Sequence, residues 1–126
     1  MPISYVIDKD RRLVISTLMG VFTPDDGLQH QQALADDPDF NSDFCQLLDL
    51  TSVKEFAFDS AWVRQSAQHS VFSPRSRRAF LVNSAVAYGL TRMYGTYREV
   101  AGGQEQLLVF QDRDEAMRWL MDGQSQ

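Results

Sequence analysis

This chain has little of what staples a small protein or marks its chemistry. Its 126 residues include one cysteine, Cys45. No internal disulfide can form, and folding must rely on burial of roughly two-thirds of the unfolded chain's surface. The two histidines, His30 and His69, fall on different predicted helices. With Cys45 in a predicted strand they match no zinc spacing, so no metal and no cofactor is expected. No apolar run approaches the ~20 residues that cross a bilayer. Twelve basic residues against seventeen acidic ones give a net charge of −5, which excludes a general nucleic-acid surface. There is no G-x-S-x-G elbow and no P-loop, and Gly102-Gly103 follows a predicted helix where a dinucleotide loop would precede one. No catalytic constellation stands out, and an enzyme is not expected. Nothing resembles a linker or repeat, so residues 1–126 are expected to form one domain. Met1-Pro2-Ile3-Ser4 leads straight into a strand pattern, which predicts no signal peptide and a cytoplasmic protein.

What is present is a set of short apolar runs, each handing over to a helix-like stretch. Phe44–Leu50, Ala79–Val82 and Leu107–Phe110 are apolar on both faces, as strands covered on both sides are, and strands alternating with helices predict an α/β sheet. Ser4–Asp8 and Leu13–Leu18 precede them as a hairpin around Lys9-Asp10-Arg11-Arg12. Thr23-Pro24-Asp25-Asp26 starts a first helix with a stripe of Leu28, Gln31, Leu34 and Ala35, stopped by Asp36-Asp37-Pro38. Asp59 and Ser60 offer caps for a second helix running to about Val71, and Ser84 caps a third with a stripe of Val86, Leu90, Met93 and Tyr97. Asp112 and Glu115 start a fourth, which Gly123 terminates. The predicted order is ββαβαβαβα: an N-terminal hairpin feeding a five-stranded mixed sheet with about four helices.

Two local patterns carry a resemblance. Leu47-Leu48-Asp49-Leu50-Thr51-Ser52-Val53 followed by Phe58-Asp59-Ser60 resembles the strand, Asp-Leu-Ser turn and Asp-Ser helix start of the STAS/SpoIIAA-like family of bacterial anti-anti-sigma factors. Val109-Phe110-Gln111-Asp112-Arg113-Asp114-Glu115-Ala116-Met117-Arg118-Trp119-Leu120 resembles the ending of small bacterial STAS/SEC14-like proteins. In element order the resemblance spans nearly the whole chain. It implies a regulatory protein-interaction module, with a kinase-like anti-sigma factor as partner and a phosphorylated serine at the start of the second helix. The family pattern there is Asp-Ser-Ser-Gly. This chain has Asp59-Ser60-Ala61-Trp62, so the acceptor position is Ala61, and Ser60 suits an N-cap. The partner surface so implied comprises Asp49, Thr51, Ser52, Asp59, Ser60 and Trp62.

The SEC14-like branch implies something different, an apolar cavity holding a lipid-like molecule, with peripheral membrane contact. Trp62, Tyr88, Met93, Tyr94 and Tyr97 are the pocket candidates, because methionine and tyrosine suit adaptable, half-wet contacts. Ordinary core packing with tyrosines at the rim is the alternative, and the third helix's broad aromatic surface is a further candidate for a homodimer face. Arg75, Arg77 and Arg78, in Ser73-Pro74-Arg75-Ser76-Arg77-Arg78, are candidates for an anionic headgroup or acidic partner, against the alternative of a solvated loop guarding a strand edge.

Overall fold

The computed structural model describes residues 3–122. β1 (Ile3–Asp8) and β2 (Leu13–Phe22) pair antiparallel, from Ile3 opposite Leu18 to Asp8 opposite Leu13. α1 (Pro24–Asp36) leads to β3 (Cys45–Phe56), α2 (Ser60–Ser66) to β4 (Arg77–Leu81), and α3 (Ala85–Val100) to β5 (Gln106–Phe110). α4 (Arg113–Asp122) closes the order. The strands lie in chain order 1-2-3-4-5, all parallel after the hairpin. A sheet growing in one direction through crossovers of one hand puts every crossover helix on the same face. Accordingly, Leu34 of α1 packs with Val14, and Ala87 of α3 packs with Leu18, Leu50 and Val82. α4 alone lies on the opposite face, where Ala116 and Leu120 meet Leu13, Cys45, Leu47, Ala79 and Leu81.

The helix starts follow the sequence chemistry. Thr23 and Asp26 form a reciprocal capping box, Asp59 accepts from the Trp62 amide, and Ser84 accepts from the Ala87 amide. Gly123, expected to stop α4, lies outside the described residues.

Leu28 and Ala35, expected on the buried stripe of α1, are exposed, and β5, expected to be covered on both sides, is an edge strand with Leu108 exposed. Three expectations about element bounds and faces are also corrected. β3, expected to stop at Leu50, continues to Phe56. Beyond the level where Asp49 pairs with Leu81, it runs on with β2 as a two-stranded ribbon, interrupted by register shifts at Thr17/Met19 and Gly20/Val21. Gly20 sits there at φ +69°, a conformation that costs glycine little. Such shifts bend strands, and Phe22 and Phe56 at the ribbon's end pack with Leu50 and Val82 on the three-helix face. α2 ends at Ser66, well short of Val71, where Arg98 Nη1 donates to the Ala67 carbonyl at 2.9 Å. α3 is rotated from its expected stripe: Ala87 and Thr91 are buried while Val86 is 63% exposed. The sheet-facing side of α3 carries small and polar residues, which hydrophobic periodicity passes over.

Candidate functional site

On the three-helix face, strand alternation brings three polar side chains where apolar ones would be ordinary. Ser16 of β2, Gln46 of β3 and Arg78 of β4 are all buried, and Gln46 lies directly opposite Arg78 in the register. Buried polar groups are costly unless paired, and these are linked end to end. Arg78 Nε donates to Gln46 Oε1 at 3.1 Å, and Gln46 Nε2 donates to Ser16 Oγ at 3.3 Å. Ser16 Oγ lies 3.0 Å from His30 Nε2 on α1.

A guanidinium only donates, so Gln46 must turn its oxygen to Arg78 and its amide nitrogen to Ser16. Ser16 Oγ therefore accepts from Gln46, and its second lone pair and its proton let it meet either tautomer of His30 at Nε2. His30 Nδ1 is buried and has no hydrogen-bond partner among the described residues. Burial first, and the Arg78 charge second, hold the His30 pKa down to about 4, so the imidazole is neutral at ordinary pH.

At the other end, Arg78 Nη1 donates to the Tyr94 hydroxyl at 3.0 Å and meets Glu105 Oε2 at 3.4 Å. Arg98 grips the same carboxylate in a bidentate pair at 2.9 and 3.0 Å. Burial alone would raise the Glu105 pKa, but the Arg98 hydrogen bonds and the two guanidinium charges outweigh it and leave the carboxyl lowered. The rings of Phe72, Phe80 and Tyr94 surround the Arg78 guanidinium, with centroids at 4.9, 5.3 and 5.4 Å.

Above this floor lies a cavity of about 660 Å³ between the sheet and α1–α3. Its walls are mainly apolar: Leu18, Leu48 and Leu50 from the sheet, Phe22, Phe56 and Phe58 from the ribbon, and Trp62 from α2. Trp62 packs against Phe58 at 4.6 Å and Phe22 at 6.0 Å between ring centroids. Gly27 of α1 makes room for that ring, because a Cβ there would lie 3.1 Å from it. His30, Gln46, Arg78, Thr91 and Tyr94 supply the polar lining. The exposed lining residues, Asp25 and Leu28 of α1, Gln65 of α2, and Gln68 and His69 just after it, mark the mouth.

The Ser16–His30 contact has the spacing of a nucleophile and its base, but not the rest of that machinery. Ser16 is fully buried, Nδ1 has no orienting acceptor, and a depressed pKa makes the imidazole a weak base. Among the described residues no cluster of three metal-ligating side chains exists, and no helix is long and apolar enough to cross a membrane.

The sequence candidates divide. Trp62 and Tyr94 line the cavity. Met93 and Tyr97 are half-buried on α3 outside its lining, and Tyr88 is exposed, its hydroxyl accepting from Arg92. The three arginines do not gather. Arg75 is exposed in the loop, while Arg77 lies over Trp119 on the α4 side and donates to its carbonyl. Arg78 is buried on the cavity floor. The expected partner surface is likewise split. Asp49 accepts from the Thr51 amide and hydroxyl and pairs with Arg113 of α4 at 3.2 Å. Ser52 is exposed on the ribbon. Asp59 and Ser60 are exposed at the start of α2, whereas Trp62 turns inward.

Sequence reasoning missed the central residues, His30, Gln46 and Ser16. The available signal was one polar residue at an inward position of each of three consecutive strands, facing a helix whose inner side reads Gly27, His30 and Leu34.

No protein-family model matches the chain, and no curated protein does. Among solved structures the chain is similar to an uncharacterized protein of the DUF3478 family from Shewanella loihica PV-4, described as having a SpoIIAA-like fold. The TM-score is 0.59 at 20% identity, covering 94% of this chain and 93% of that one. The fold of this chain is SpoIIAA-like.

Proposed function

We propose that this protein is a non-catalytic module that binds an apolar small molecule between its sheet and α1–α3, as a carrier or sensor. The observation that carries this reading is the cavity itself. Its 660 Å³ lies within the roughly 300–1,000 Å³ of small-molecule sites, and mainly apolar walls with a few convergent polar groups are their usual composition. A side-chain-filled core would have closed this space, since interiors pack at nearly crystalline density.

The test is equilibrium binding of a neutral solvatochromic probe such as Nile red, together with native mass spectrometry of the purified protein. One probe per chain is expected, with binding abolished by Leu48→Trp or Gly27→Leu while far-UV circular dichroism stays unchanged. Undiminished binding in folded variants would place the site elsewhere and defeat the reading.

A regulatory role through a protein partner, such as a kinase-like anti-sigma factor, is the second reading. Its support is the fold together with the exposed Asp59 and Ser60 at the start of α2. It takes second place because Asp49 and Thr51 engage each other and α4 while Trp62 faces the cavity. Co-purification of a partner that Ser60→Glu releases would promote it.

A further inference from the structure

The cavity floor also constrains the polar end of whatever occupies it; this step rests on the ligand-binding reading above. Arg78, buried on the cavity floor, shares the carboxylate of Glu105, whose side chain is 2% exposed, with the half-buried Arg98; these two partners lie behind the lining. Two positive charges against one negative leave this cluster at net +1. Asp25, the lining residue of opposite charge, lies at the exposed mouth, where solvent screens it. Unpaired buried charge is expensive, and one compensating anion relieves it.

The free hydrogen-bonding capacity of Arg78 is of a single kind. Arg78 spends Nε on Gln46 and Nη1 on Tyr94 and Glu105, and its Nη2 makes no hydrogen bond to a described residue. The Tyr94 hydroxyl, Gln46 oxygen and Glu105 carboxylate are already engaged. The vacant group on Arg78 is a donor, so the complementary head is one that accepts.

We propose that the cavity takes a single-chain amphiphile bearing one carboxylate, seated head-inward on Arg78 Nη2, with the tail against Leu48, Phe58 and Trp62. A carboxylate matches a +1 cluster with one charge and two acceptor oxygens, and a guanidinium edge suits it geometrically. A phosphate monoester, near −2 at neutral pH, over-compensates the site. A cation meets a donor and like charge.

Displacement of bound Nile red at pH 7.5 by four twelve-carbon chains tests this: dodecanoate, dodecanol, dodecyl phosphate and dodecyltrimethylammonium. Dodecanoate is expected to bind at least tenfold tighter than dodecanol and no weaker than dodecyl phosphate, with the ammonium weakest. In Arg78→Met the gap between dodecanoate and dodecanol should fall below threefold while dodecanol itself is unchanged. Because Arg78→Met also strips a partner from Glu105, Arg78→Lys serves as a second variant; it keeps the charge and should keep the gap above threefold. Dodecanol binding as tightly as dodecanoate, a tenfold preference for phosphate, any preference for the cation, or a gap that survives Arg78→Met or is lost in Arg78→Lys overturns the proposal and leaves cavity binding standing. Failure of all four chains to displace the probe, or of the probe to bind, sinks both.

Discussion

Acid should destabilise this protein well above the pH where carboxylates titrate, and His30 is the reason. Burial and the nearby Arg78 hold its folded pKa near 4, against 6.5 in the unfolded chain. Above pH 6.5 the ring is neutral in both states and contributes no pH dependence. Between pH 6.5 and 4 the unfolded chain binds a proton that the folded one refuses, so stability falls as pH falls. The difference of about 2.5 pH units corresponds to about 2 kcal/mol lost at pH 5 and about 3 kcal/mol at pH 4. Glu105 also loses stabilisation on acidification, because its carboxyl is lowered in the fold, but only as pH drops through the carboxylate range near 4.5. The two contributions therefore separate at pH 5. Urea unfolding at pH 7.5, 6.0 and 5.0 measures this, and a loss of about 2 kcal/mol moves the midpoint by on the order of 1 M. His30→Gln should flatten the profile between pH 7.5 and 5.0, whereas His69→Gln, at an exposed position, should leave it intact. A wild-type midpoint that is level over this range, or a His30→Gln midpoint falling as steeply as wild type, refutes the buried neutral imidazole.

Three further outcomes follow from the same geometry. Glu105→Gln strips the anion from two buried guanidiniums and should cost about 3–5 kcal/mol in chemical denaturation; a loss under about 1 kcal/mol would mean that water already solvates Arg78 and Arg98. Gly27→Ala gains helix propensity worth about 1 kcal/mol, and its Cβ, 3.1 Å from the Trp62 ring, needs that ring to shift slightly into open cavity. A small net stabilisation is expected in thermal unfolding, and a destabilisation would show that Trp62 has no room to yield. Asp59→Ala removes the cap of the seven-residue α2 and should cost about 1 kcal/mol, read as faster limited proteolysis between Ser60 and Ala67.

Much of the architecture was legible because its signals are local. Thr23-Pro24-Asp25-Asp26 and Ser84 state helix starts through backbone capping, and the both-face apolar runs Phe44–Leu50 and Ala79–Val82 state covered strands, whereas Leu107–Phe110 forms an edge strand with Leu108 exposed. The errors arise where a distant contact overrides a local pattern. Thr51–Phe56 lacks a clean alternation because two register shifts interrupt it, so a strand ending at Leu50 was the natural reading. The end of α2 depends on Arg98, whose partner Ala67 lies 31 residues away. In α3, Val86 and Met93 carry the hydrophobicity, but small Ala87 and hydroxyl-bearing Thr91 face the sheet, with Thr91 Oγ1 satisfied by the Ala87 carbonyl at 2.9 Å. A stripe drawn from apolar residues alone cannot find a face that leaves space above itself.

The floor was hidden for a related reason, and Arg77-Arg78 shows it most clearly. Adjacent arginines after Ser73-Pro74 resemble a solvated loop. Yet β4 begins at Arg77, and a period of two must send neighbouring side chains to opposite faces. Arg77 accordingly stacks on Trp119 on the α4 side, and Arg78 enters the cavity floor. Burying a guanidinium requires an anion and acceptors, and these arrive from Glu105, Gln46 and Tyr94, separated by 27, 32 and 16 residues. No local pattern in the chain announces such partners. Core stability does not demand this arrangement either, since apolar residues at Ser16, Gln46 and Arg78 would fill the same face without desolvation costs. A face that keeps charge, a free guanidinium edge and open volume together is what the proposed carboxylate ligand would require, and it is costly to keep for packing alone.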